Sequence, residues 1–97
     1  MPRNPARPDA AQARDQLDAL HTALAQGDID IATAVRRMRT ISGLTQPQFA
    51  RHRGISVQAL RQIETGHGNP TVKTLDAIAK VFGMQVGFVP ARRPSVE

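Results

Sequence analysis

Between residues 9 and 83 the apolar side chains recur in short blocks at helical spacing, and every block stops at a glycine. That punctuation permits short packed helices and little else. Asp9 caps an Ala-rich block that runs to about Ala25, with Leu17, Leu20 and Leu24 in register, before Gly27 and Asp28 end it. A second block runs from about Ile31 to Ser42, placing Ile31, Val35 and Met38 on one face, and Gly43 closes it. Thr45 opens a third, with Gln48 three residues on as a capping box and Pro47 in the first turn, where a missing N–H costs little. Phe49 and Ala50 face inward there, and Gly54 breaks the helix. Ser56 caps the next, from Val57 to about Thr65, with Leu60 and Ile63 as its core pair. Residues 66–70, Gly-His-Gly-Asn-Pro, are a loop. Thr71 then caps a helix through Phe82 that is expected to bury Val72, Leu75, Ile78, Ala79 and Phe82, and Gly83 stops it.

Ninety-seven residues make one small domain with one modest core, which excludes barrels and doubly wound sheets. Cysteine is absent, so there are no disulfides and no thiolate metal sites. This fits a reducing, cytoplasmic setting. No apolar run approaches the roughly 18 residues of a membrane span, and the basic N-terminus lacks the apolar stretch of a secretory signal. The only aromatics are Phe49, Phe82 and Phe88, which argues against base stacking on aromatic platforms.

Charge gives the first functional clue. The net charge is +5 and arginine supplies most of the positive side, in keeping with bidentate recognition of phosphates and base edges. Residues 1–30 carry −2, residues 31–68 carry +5 and residues 69–97 carry +2. An anionic partner is therefore sought around the middle third. Two short helices, 45–53 and 56–65, meet there across the Gly54-Ile55 turn, as in a helix-turn-helix. In such a unit the second helix enters the major groove and its early residues reach base edges. Val57, Gln58, Arg61 and Gln62 are expected on the face away from Leu60 and Ile63. Gln can read adenine, Arg can read guanine and Val57 can touch a thymine methyl.

At these residues the chain resembles the Cro/CI-repressor-like (Xre) helix-turn-helix family. The resemblance rests on Gly43-Leu44-Thr45-Gln46, Phe49-Ala50, Gly54-Ile55-Ser56, Leu60, Ile63-Glu64, Gly66, Asn69-Pro70-Thr71 and Leu75, and covers about Ile31 to Gly83. It implies an all-α fold: a five-helix lambda-repressor-like DNA-binding domain over 31–83, usually dimeric. The helix at 9–27 would be extra to it, its Leu17, Leu20 and Leu24 face either covering the core or thickening the dimer. The resemblance makes Gln46 the phosphate clamp at the start of the scaffold helix, whose cap, Thr45, is expected to meet phosphate as well, and Ser56 the phosphate-contacting cap of the recognition helix. Asn69 would hold a flanking phosphate. Arg39 and Glu64 would form a partly buried ion pair tying the first family helix to the recognition helix. Arg53, before Gly54, departs from the apolar residue usual in the family. Either its stem packs while its head reaches out, or the helix ends differently. With Arg51 and His52 it makes a basic surface where Arg51 and Arg53 can add phosphate contacts.

The flanks carry further expectations. Residues 1–8, with three prolines, Arg3 and Arg7, read as a disordered basic arm, and 91–97 as a tail. Residues 84–90 read as a short strand with Met84, Val86 and Phe88 on one side. An isolated strand leaves its backbone unpaired, so these residues are expected to pair with a twofold-related copy, the alternative being that the segment folds back on its own helices. A strand there resembles the HipB-like antitoxin branch of the family. No catalytic or metal constellation is present: His21, His52 and His67 lack partners at short spacing, and Asp28-Ile29-Asp30 lacks the rest of a calcium loop. The chain thus reads as a non-enzymatic, cofactor-free homodimeric repressor that binds double-stranded DNA, with no membrane or small-molecule partner. The alternatives are an antitoxin that also clasps a toxin, or an interaction module with no DNA role.

Overall fold

Each helix begins where a short polar side chain takes up a free backbone amide. The computed structural model describes residues 7–91. Helix α1 (Ala10–Ala25) starts on a reciprocal pair: the Asp9 carboxylate accepts the Gln12 N–H at 2.8 Å, and the Gln12 side chain accepts the Asp9 N–H at 3.1 Å. Helix α2 (Ile31–Ser42) starts on Asp30, whose carboxylate accepts the Thr33 N–H at 2.8 Å. That backbone bond, followed by one from the Thr33 side chain, holds the Asp30 carboxyl below its ordinary value. Thr45 and Gln48 cap α3 (Gln46–Arg53) reciprocally. Ser56 caps α4 (Val57–Glu64) and Thr71 caps α5 (Val72–Ala79), each hydroxyl accepting an amide at 3.0 Å. A 3₁₀ turn, Lys80–Phe82, continues α5.

Glycine is required between α2 and α3. Gly43 ends α2 with φ +67°, and a Cβ there would also meet the Arg7 Cβ at 2.9 Å. The chain at residue 7 thus crosses the end of α2. Gly54 ends α3 in the same left-handed conformation, φ +71°, and turns the chain directly into α4.

The core is one cluster drawn from all five helices and the 3₁₀ turn. Leu20, Val35, Met38, Phe49, Leu60, Ile63, Ile78 and Phe82 are buried in it. The Phe49 and Phe82 rings stack with centroids 6.3 Å apart. Leu20 is fully buried, Leu17 and Leu24 pack beside it, and His21 Nε2 bonds the Phe82 carbonyl at 2.9 Å. A carbonyl only accepts, so His21 donates. Helix α1 is therefore bound to both the core and the end of α5.

Several expectations are corrected. Among the described residues there are five α-helices, and that number is reached only by including α1; residues 31–83 hold four and the 3₁₀ turn. Of the two roles open to helix α1, its Leu17, Leu20 and Leu24 face takes the first and covers the core. The strand expected at 84–90 is absent among the described residues. Strand alternation is useful only where a neighbouring strand takes up the backbone. Here the Met84 N–H bonds the Ala79 carbonyl at 3.1 Å and the Val86 N–H bonds Asp76 Oδ1 at 3.1 Å, so the segment folds back on α5. Met84 packs on the core while Phe88 is wholly exposed, so the expected common side of Met84, Val86 and Phe88 does not form. Ile31 and Val72, expected inside, are more than half exposed. Each is the first residue of its helix, at the end of the inward stripe. Arg3 and the remainder of the expected arm through residue 6, and the tail from 92, lie outside the described residues.

Candidate nucleic-acid interface

Helix α4 is held against the bundle by a charge in its last turn. Glu64 is 3% exposed and its carboxylate accepts three hydrogen bonds. Arg39 of α2 supplies two of them, Nε to Oε2 at 2.7 Å and Nη2 to Oε1 at 3.0 Å. Gln46 Nε2, at the start of α3, supplies the third at 2.9 Å. Arg39 Nη1 also reaches the Leu44 carbonyl at 3.3 Å. A buried carboxylate is tolerated only when paired and fully bonded in this way. Arg36, one turn before Arg39, donates to the Glu64 main-chain carbonyl and to Thr33 Oγ1. Its cation sits at the C-terminus of α4, where the helix dipole favours positive charge. One carboxylate thus joins α2, α3 and α4.

With its inner side fixed, α4 presents Gln58, Arg61 and Gln62 to solvent. Val57 is different: it is half-buried and packs against the core. It lies three residues before Leu60 and seven before Glu64, and so shares their side of the helix. Gln62 lies against the following loop, where a Cβ on Gly68 would meet its Oε1 at 3.1 Å. Asn69 is exposed in that loop, beside a small hollow of about 210 Å³ that Gln62 also lines. Ser56 is exposed at the start of α4, and Thr45 and Gln46 are half-buried at the start of α3.

Arg51 and Arg53 part company. Arg51 is exposed. The Arg53 guanidinium instead lies 4.3 Å from the Phe49 ring centroid and 5.3 Å from that of Phe82. Its Nε is buried and has no hydrogen-bond partner among the described residues, and burial lowers its pKa from the ordinary arginine value. Neither of the two expected arrangements describes it: α3 ends at Gly54 in the ordinary way, and the charged head itself covers the rings. Two substitutions separate the pair if this face meets DNA. Arg51→Ala is expected to reduce the slope of log K against log salt by about 1, as for one lost phosphate contact. Arg53→Met, which keeps an apolar cover on the rings, is expected to leave that slope unchanged. Binding titrations over a salt series check both.

Sequence reasoning missed Arg36, the bonds of Gln46 and the rings beneath Arg53. The cap on α2 was also missed, although Asp30 stands directly before Ile31 with Thr33 three residues on, a local signal that could have been read. Among the described residues, no group of three or more His, Asp or Glu side chains could hold a metal ion. No helix among them is long and apolar enough to cross a membrane.

A short scaffold helix, a glycine turn and a second helix with an open polar face define a helix-turn-helix protein. The profile of the helix-turn-helix family HTH_3 matches residues 35–89, more than half the chain. The chain belongs to this family, the Cro/CI-type or Xre helix-turn-helix proteins, which is non-enzymatic. It is also 42% identical over 48 residues to an uncharacterized HTH-type transcriptional regulator, y4dJ, of Sinorhizobium fredii. That alignment covers 50% of this chain and 62% of the relative, so the chain spans less than two thirds of that protein's length. No solved structure matches the chain at comparable significance.

Proposed function

We propose that the chain is a cytoplasmic transcriptional repressor that binds DNA as a homodimer, with one α4 in each of two successive major grooves. The observation that carries this reading is the open face of α4: Gln58 and Arg61 are exposed on a helix whose opposite side is fixed through Glu64. Gln58, Arg61 and Gln62 read base edges, and Val57 adds a marginal apolar contact. Thr45, Ser56, Asn69 and Arg51 hold phosphates. The Ser56 hydroxyl accepts the Ala59 N–H at 3.0 Å, which leaves its own proton for a phosphate oxygen. The family match and the +5 charge of residues 31–68 support a nucleic-acid partner.

Dimer formation draws support from the tail after α5, where Val86, Phe88 and Val89 are exposed and Phe88 is completely so. A large exposed apolar side chain beside others marks a contact surface. A twofold dimer would place half-sites about 34 Å apart. The same tail favours a second reading, an antitoxin that holds a toxin on these residues and represses its own operon. Light scattering separates the two. The first reading expects a dimer mass for the purified chain. A monomer that binds DNA only together with a co-purifying protein supports the second.

Base reading has its own test. Gln58→Ala or Arg61→Ala is expected to weaken binding to the preferred duplex by about 1–3 kcal/mol and to relax specificity at one base pair. Titration against duplexes changed one base pair at a time measures this. Equal weakening on every duplex would make the residue a backbone contact, and no change would remove α4 from the interface.

A further inference from the structure

Gln46 occupies a position between a buried anion and an exposed cation. Its Nε2 donates to Glu64 Oε1 at 2.9 Å, and its Oε1 accepts from Arg61 Nε at 3.3 Å. Glu64 is itself fixed by two bonds from Arg39. A carboxylate only accepts and a guanidinium only donates, so the side chain that joins them must carry one donor and one acceptor, and the amide cannot be turned over without losing both bonds. An ordered row therefore runs from the core to the surface: Arg39, Glu64, Gln46, Arg61.

From this row we propose that Gln46 is a positioning residue for base recognition, setting the direction of the Arg61 guanidinium rather than serving chiefly as a phosphate contact. The proposal rests on the reading of α4 as a base-reading helix. Arginine has many rotamers, and binding must select one of them. With Nε held by Gln46, the two terminal nitrogens of Arg61 are left together to meet the paired acceptors of guanine, O6 and N7. Gln46 touches no base in this account. It acts by keeping Arg61 in a receptive geometry before DNA arrives.

The test uses the full chain and a duplex panel built on its selected site, with every base pair changed in turn at constant salt. Arg61→Ala is expected to flatten the preference at one base pair per half-site. Gln46→Met is expected to reduce the preference at that same base pair by about 3- to 10-fold, the scale of fixing one flexible side chain, and to leave the other positions unchanged. The double variant should be no flatter than Arg61→Ala alone. Arg61→Lys provides a second background that leaves the Glu64 cluster untouched: lysine cannot present two fixed terminal donors, so adding Gln46→Met there should not alter base preference. If Gln46→Met alone fails to fold, Gln46→Asn replaces it, keeping the amide but shortening its reach, with the same result expected. Uniform weakening on all duplexes with the preference intact would overturn the proposal and make Gln46 a phosphate contact. A wild-type chain that enriches no sequence would overturn the base-reading function itself, a different failure.

Discussion

Arg39→Met is expected to lower the unfolding free energy by about 3 kcal/mol, the low end of the cost of stranding one member of a buried ion pair. The low end applies because the Arg39 side chain is 21% exposed, although Glu64 is only 3% exposed. The substitution removes two of the three bonds to the Glu64 carboxylate and leaves the charge almost out of reach of water. For a domain of this size each kcal/mol shifts the Tm by roughly 4–8 °C, so the loss should exceed about 10 °C. Thermal and urea unfolding measure it. Replacing both residues by methionine should recover much of the loss, because the destabilisation comes from the unpaired charge and not from the absence of the pair. A cost below about 1 kcal/mol for the single variant would mean that the pair behaves as a screened surface bridge.

Leu20→Ala is expected to cost about 3–4 kcal/mol, in the range for truncating a fully buried leucine whose surroundings cannot collapse. Leu20 is inaccessible to solvent, Leu17 and Leu24 pack beside it, and His21 anchors the same stretch of α1 to the Phe82 carbonyl. The α1 surface and the core have few ways to close over the space left. Chemical denaturation of the variant gives the value. A loss under 1 kcal/mol would make α1 an appendage to a domain that folds without it. A loss of the expected size makes it the fifth wall of the core.

Helix limits were readable because they are written within three or four residues. A threonine, serine or aspartate accepts an amide one turn ahead, and a glycine at positive φ ends the helix at 43, 54 and 83. The features that sequence reading lost depend on distant partners. Met84 to Val89 alternates like a strand, but alternation does not supply the neighbour that a strand requires, and Asp76 and Ala79 take its amides instead. Arg53 looked like a phosphate ligand because nothing local places the Phe82 ring, 29 residues later, beneath it. The bonds of Gln46 are unreadable for the same reason, since its partners stand 15 and 18 residues along the chain. The Arg39–Glu64 pairing was suggested by family resemblance, because a spacing of 25 residues carries no contact information of its own. On α4 the polar face was readable from helical periodicity at Gln58 and Arg61. The same periodicity, applied from Leu60 and Glu64, assigns Val57 to the inner side, where it packs.

The most direct measurement is selection of bound duplexes from a random-sequence pool by the intact chain, at one salt concentration near physiological, because phosphate contacts make affinity fall steeply with salt. A homodimeric repressor is expected to enrich an inverted repeat with half-sites about one helical turn, roughly 34 Å, apart. Binding with no enriched sequence, or an enriched site that survives alanine at both Gln58 and Arg61, would contradict this function.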